Sequence, residues 1–149
     1  MVAGNLSLGP ISSLPDDISG LLEASLADGH NLVKRLVDDW NDGSNRFDRP
    51  GEIALQARLG SMLVGVGGLN RDPYIDDPAT GRIRHLYVAR EARGQGVGRA
   101  LVAALLTEGR ATFRRIRLRT SQADASALYE SLGFLQVFNE PNASHVLRL

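Results

Sequence analysis

Residues 82–99, RIRHLYVAREARGQGVGR, constrain this chain more than any other stretch. A strand runs into a glycine-rich loop and then into the start of a helix. Glycines at 94, 96 and 98 let backbone approach a ligand with no Cβ in the way. N–H groups at a helix N-terminus lack internal partners, and the helix macrodipole adds partial positive charge there. The segment therefore reads as an anion cradle. A Walker A loop would need Gly-Lys followed by Ser or Thr, and none is present. A Rossmann fingerprint fails because Arg99 stands where its third glycine belongs. What remains is R-x-x-G-x-G, carried by Arg93, Gly96 and Gly98.

Hydrophobic periodicity arranges the rest around that unit. An edge strand is expected near Leu6–Ile11. Pro15, Asp16 and Asp17 suit a helix start, and Ile18, Leu21, Leu22 and Leu26 recur at helical spacing until Gly29. Val33, Leu36, Val37 and Trp40 mark a second helix, closed near Gly43. Residues 53–59 alternate as a strand, Gly60-Ser61 offers a two-residue hairpin turn, and 62–69 is the returning strand. Strand 82–88, a helix over 97–111 and strand 115–120 form a β-α-β unit, which requires parallel pairing. Ser121 with Asp124 resembles a capping box for a last helix that ends at Gly133. Strands near 134–138 and 144–149 follow. The expected fold is one α/β domain spanning 1–149, a mixed sheet of six or seven strands flanked by about four helices. Two loops, 42–51 and 70–81, are too short to divide it.

The chain has 17 basic and 17 acidic residues. That balance argues against a nucleic-acid partner, which usually requires a basic excess. Lys34 is the sole lysine, so the positive charge is almost all guanidinium, suited to bidentate contacts with carboxylate or phosphate. No cysteine is present, which removes disulfides, thiolate metal sites and a cysteine nucleophile. His30, His85 and His145 are scattered, so no metal site is expected. No apolar run is long enough to span a bilayer, and residues 1–10 lack a signal-peptide pattern. The expectation is a cytoplasmic protein without a membrane partner.

Residues 86–99 resemble the acetyl-CoA loop of the Gcn5-related N-acetyltransferases (GNAT), whose signature is Q/R-x-x-G-x-G/A. Downstream, Ala125 to Phe134 (ASALYESLGF) is similar to that family's A-x-x-x-Y-x-x-x-G-F segment. The resemblance is specific over 82–138, and over 1–81 it rests on element order. It implies an N-acetyltransferase that moves an acetyl group from acetyl-CoA to an amine by direct attack in a ternary complex.

The resemblance also implies roles. The loop amides of Gly94, Gln95, Gly96, Val97, Gly98 and Arg99 would hold the coenzyme's pyrophosphate, with Arg93 and Arg99 as charge-assisted partners. Leu86 and Val88 would line the pantetheine arm, and a backbone N–H near Val88 would hold the acyl oxygen. Tyr129 matches the tyrosine near the coenzyme sulfur. A thiol near pKa ~8.5 is more acidic than a phenol near ~10, so Tyr129 is expected to act mainly as a hydrogen-bond donor. Gln122 occupies a position where the family often has Asn. The family often places Glu or His on the strand before the loop as a base; the carboxylate is missing here, which leaves His85, or else a water chain to a backbone carbonyl or a residue from another loop. Simple alternation sets His85 opposite Arg84 unless a bulge intervenes.

The acceptor pocket would draw on Trp40, Asn45, Arg46, Phe47 and Tyr74, although the spacing of Trp40 equally fits a core position. Arg82 and Arg84 alternate on one strand and Arg115, Arg117 and Arg119 on the next. Either part of this cluster, Arg84 included, binds a carboxylate or phosphate on the acceptor, or the arginines pair with acids such as Glu23 or Glu52 or lie in solvent. An alternative reading is a non-catalytic acyl-CoA-binding module, favoured slightly by the missing strand carboxylate and by Gln122. A further rival, a transferase acting on tRNA-linked or ribosomal amines, meets the neutral charge as an objection. Either a monomer or a homodimer joined through the last strands fits.

Overall fold

The computed structural model describes residues 5–149. Seven strands form one sheet: β1 (Leu6–Pro10), β2 (Ile53–Leu59), β3 (Met62–Arg71), β4 (Thr80–Val88), β5 (Arg115–Leu118), β6 (Leu135–Gln136) and β7 (His145–Arg148). Four helices flank it: α1 (Ile18–Ala27), α2 (Leu32–Asp42), α3 (Val97–Gly109) and α4 (Ala123–Ser131). The strand order is β1-β2-β3-β4-β5-β7-β6. Neighbours are antiparallel except β4 and β5, which run parallel as the β-α-β unit requires.

Local chemistry explains most boundaries. Gly60, at φ 60°, makes the two-residue turn that sets Leu59 opposite Met62. Gly43 ends α2 in the left-handed conformation. The start of α4 differs from expectation. Gln122 is its N-cap and no side chain caps it, so Ser121 forms no capping box. Asp17 precedes α1 but is drawn away by Arg58, with N–O distances of 2.8 and 2.9 Å. The 70–81 loop is shorter than expected because β3 runs to Arg71 and β4 begins at Thr80.

Two apolar clusters cover the two faces of the sheet. Leu101, Val102, Leu105 and Leu106 of α3 pack with Leu55, Val64, Leu69, Ile83 and Ile116. On the other face Leu21 of α1 and Val33, Leu36 and Trp40 of α2 pack with Ala54, Val66 and Tyr87. Gly109 permits the close approach of α3, since a Cβ there would lie 2.8 Å from Leu69.

β4 changes phase along its length. Ile83 belongs to the α3 cluster, and strict alternation would put Tyr87 there too. Tyr87 instead belongs to the α1–α2 cluster, while Leu86 and Val88 pack toward α3. A bulge produces the shift: Gly68 faces Arg84 and Val66 faces Tyr87, leaving two residues of β4 against one of β3. His85 sits in it at φ 60°, a conformation unusual for a residue other than glycine.

Candidate functional site

Two open ends in this framework create a cleft. β4 and β5 pair only over Thr80–Arg82 and Arg115–Arg117. Beyond those residues the strands part. The end of β5 is held toward β7 by Ser144, whose N–H bonds the Leu118 carbonyl at 2.8 Å and whose Oγ accepts the Thr120 N–H at 2.9 Å. The resulting cleft has a volume of about 830 Å³. Its walls are His85 to Val88, the glycine loop, Leu118 to Gln122, and Leu128 and Tyr129 of α4.

The loop closes one end. Gly94 and Gly96 have φ of 77° and 82°, a turn that side chains disfavour. Among the described residues, the N–H groups of Gly94, Gln95, Gly96, Val97, Gly98 and Arg99 have no hydrogen-bond acceptor. The first bond of α3 runs from the Ala100 N–H to the Gly96 carbonyl, at 3.0 Å. Six unpartnered amides thus gather at a helix N-terminus, and Gly94, Gly96, Val97, Gly98 and Arg99 among them line the cleft. Gly98 keeps a slot open beside them, since a Cβ there would lie 3.3 Å from Leu128 and 3.7 Å from Val88. Unpartnered amides and a slot free of Cβ atoms fit the diphosphate and narrow arm of coenzyme A.

The charged side chains of the loop are largely engaged elsewhere. Arg93 pairs with Asp28, donates to the Val88 carbonyl at 3.0 Å and lies 5.6 Å over the Tyr87 ring. Arg90 pairs with the same Asp28, and together the two guanidiniums hold that carboxyl down to about 2. Arg99 donates to Ser131 Oγ at 2.6 Å. The Gln95 side chain turns back to the Glu91 carbonyl, and Gln95 does not line the cleft. Gln122 lines the cleft with an exposed side chain.

Tyr129 is buried with its ring against Phe134, centroids 5.5 Å apart. Burial pushes its phenol well above the ordinary value. Its hydroxyl makes no hydrogen bond among the described residues. The ring wall and raised pKa leave a neutral O–H on the cleft, able to donate.

The bulge turns His85 into the cleft wall, where it is 6 % exposed. Its Nε2 has no partner. Burial, reinforced by the charges of Arg84 and Arg35, lowers the imidazole to about 3. His85 is therefore neutral near pH 7, a hydrogen-bond acceptor rather than a strong base.

A second, more polar cleft of about 710 Å³ lies beside β3 and β4. Asn45, Arg46, Tyr74 and Arg84 line it together with Asn70 and Asp72. Trp40 lines neither cleft. It is core beside Val33 and Leu36, and its carbonyl accepts Arg46 Nε at 2.8 Å. Phe47 is also buried, its ring edge-on to His85. The arginine pattern resolves into two groups. Arg82 and Arg117 pair with Asp72 at 3.6 and 3.2 Å, and Arg115 and Arg117 pair with Glu140 at 3.6 and 3.5 Å. The partners are thus Asp72 and Glu140, not Glu23 or Glu52. Arg84 makes no ion pair among the described residues.

Three contributors escaped the sequence reading. The turn Gly29–Leu32 lines the first cleft. Asp28 anchors that turn to Arg90 and Arg93; an acid at the C-terminal end of a helix opposes the dipole, which was the available signal. Asp72, in a presumed loop, gave no signal for its role in uniting the arginines.

The sequence model of the Acetyltransferase (GNAT) family matches residues 21–134. Among solved structures, the "putative acetyltransferase" of Exiguobacterium sp. 255-15 is 30 % identical, with a TM-score of 0.85 over 96 % of this chain and 93 % of that one. The yncA structure of Salmonella typhimurium, described with its cofactor acetyl-CoA, shares the fold at 20 % identity. Its TM-score is 0.69 over 98 % of this chain and 95 % of that one. The mouse "Probable N-acetyltransferase family 8 member 5" is 38 % identical over an alignment of 86 positions that covers 52 % of this chain and 36 % of that protein's length.

Proposed function

Since this chain belongs to the GNAT acetyltransferase family, we propose that it transfers an acetyl group from acetyl-CoA to a primary amine by direct attack in a ternary complex. The observation that carries this reading is the run of unpartnered amides from Gly94 to Arg99, on a loop that lines the same cleft as Tyr129. An acetyl-CoA complex of the distant relative yncA supports the choice of coenzyme.

Acetyl-CoA would supply an acyl thioester already activated for attack. The loop amides would bind its diphosphate, and Leu86, Val88 and Leu128 would flank its pantetheine arm. A backbone N–H near Val88 would donate to the acyl oxygen as charge gathers there. The Tyr129 O–H would donate to the departing sulfur. Being neutral and buried, it stabilises the thiolate without needing to surrender its proton. His85 Nε2 would accept a hydrogen bond from the incoming amine and aim its lone pair. A nitrogen–carbon bond forms, the carbon–sulfur bond breaks, and the proton lost by nitrogen ends on the thiol product by way of solvent.

The test is a panel of primary amines scored by release of free thiol. Turnover that needs both amine and acetyl-CoA supports transfer. Tight coenzyme binding with no turnover on any amine would leave the non-catalytic module as the better account.

A further inference from the structure

The second cleft carries an inference that rests on the transfer reading and narrows its substrate. We infer that this cleft holds the acceptor by a carboxylate, so the substrate is a small amine bearing one carboxylate, as an amino acid does.

Arg84 and Arg119 are the guanidiniums of the cluster without an ion pair among the described residues, and of the two only Arg84 lines this cleft. The other arginines of the β4–β5 cluster that enter ion pairs share Asp72 and Glu140, while Arg84 has no acidic partner among the described residues. It lines the cleft and is half-buried, so part of its hydration is already lost. Two amides stand unsatisfied beside it. Asn70 is only 8 % exposed and its Oδ1 has no partner; Asn45 Nδ2 is buried and has none. A buried donor left unmatched, as Asn45 Nδ2 is, costs free energy that a carboxylate oxygen would recover, while Asn70 Oδ1, an acceptor, could take only an N–H of the ligand.

The remaining charges favour one carboxylate over a phosphate. Arg46 is bonded to the Trp40 carbonyl, and Arg71 faces Asp76 at 3.5 Å. Asp39 and Asp48 also line the cleft and oppose a dianion. Arg49 also lines the cleft without an ion pair, but Glu52 lines it too, and Arg84 among these acids matches one carboxylate in bidentate geometry.

The position of Arg84 is equally specific. It precedes His85 directly, and the bulge sends the two side chains to different clefts. Phe47 stands at the partition, edge-on to His85 and held at φ 52°. A ligand anchored by its carboxylate on Arg84 would have to pass its amino group beside Phe47 to reach His85 and the acyl site. The transfer itself is the balanced exchange given above, amine plus thioester to amide plus thiol.

The experiment compares L-amino acids with their carboxamides as acceptors, for wild type, Arg84→Gln and Arg84→Lys. In wild type the free acids should exceed the carboxamides in kcat/KM by about 100-fold, the effect of one buried bidentate pair. Arg84→Gln should erase that ratio through KM, and Arg84→Lys should restore part of it. Binding of the amino acids to protein loaded with desulfo-CoA, followed by NMR, reads the subsite without turnover. Acetylation with equal preference for acids and carboxamides, or a preference for phosphoethanolamine, would overturn the carboxylate subsite and leave transfer intact. Amino-acid binding that depends on Arg84, without thiol release, would uphold the subsite and overturn transfer.

Discussion

The ring of Phe47 meets that of His85 edge-on, with centroids 6.2 Å apart at an interplanar angle of 85°. Two residues from different parts of the chain, both at positive φ, support each other there. The contact buries an imidazole that a simple strand would have left on the opposite side from where it is needed.

Burial of His85 makes stability depend on pH. Its folded value of about 3 lies below the ordinary 6.5, so between those limits the unfolded chain binds the extra proton. Stability should therefore fall as pH drops from about 6.5 toward 3. The loss should be on the order of a few kcal/mol across that window. Urea midpoints at pH 7, 5.5 and 4 check this. His85→Gln should flatten the slope, and an unchanged slope would mean that His85 titrates normally in the folded protein.

Gly68→Ala should destabilise the protein by about 1–3 kcal/mol, the usual cost of overpacking. Its Cβ would lie 2.4 Å from Phe47 Cε1, so the Phe47 ring has to leave its seat. Combining it with Phe47→Ala should cost less than the sum of the single changes, because the clash then has no second party. Strict additivity in thermal or urea unfolding would contradict the placement of that ring.

Tyr129→Phe should lower kcat by about 10²-fold, as loss of one donor to developing charge typically does. Acetyl-CoA affinity should stay within about twofold, since the donor acts on the leaving sulfur rather than on the bound thioester. Because burial raises the phenol, wild-type kcat should show no alkaline limb that Tyr129→Phe removes. Such a limb near pH 9–10 would show a tyrosine that ionises normally.

Asp28 contributes in a different range. Its folded value near 2 is below the ordinary 3.8, so the pairing with Arg90 and Arg93 stabilises above about pH 4 and is lost as pH falls toward 2. Asp28→Asn should abolish the change in unfolding midpoint between pH 4 and pH 2.5 assigned to this group. It should leave the His85 slope above pH 4 in place. Loss of both slopes together would mean global rearrangement rather than a local ion pair.

Much of this was legible in the sequence because it is local. The glycine loop, the turn at Gly60-Ser61, the α2 stop at Gly43 and the core periodicity of Val33, Leu36 and Trp40 all follow from short-range geometry. The bulge at His85 could be named only as the condition for that side chain to face the cleft, since nothing about a histidine between Arg84 and Leu86 announces a positive φ. Pairing of the arginines was equally hidden. Asp72 and Glu140 reach them only after the β3–β4 connection and the approach to β7 bring distant segments together. The capping signal at Ser121 misled because Gln122 took the cap position. Glycines at 65, 67 and 68 in one strand did hint at close approach, here by α3, Leu86 and Phe47.

Calorimetry of acetyl-CoA binding to wild type and Gly96→Trp tests the central claim most directly. Gly96 sits at φ 82° at the head of α3, where an indole both strains the backbone and fills the cradle. The expected result is micromolar binding by wild type and none by the variant, with matching far-ultraviolet circular dichroism to show that both are folded. Equal affinity in the two proteins, or no binding by folded wild type, would contradict a coenzyme held on the amides of Gly94 to Arg99.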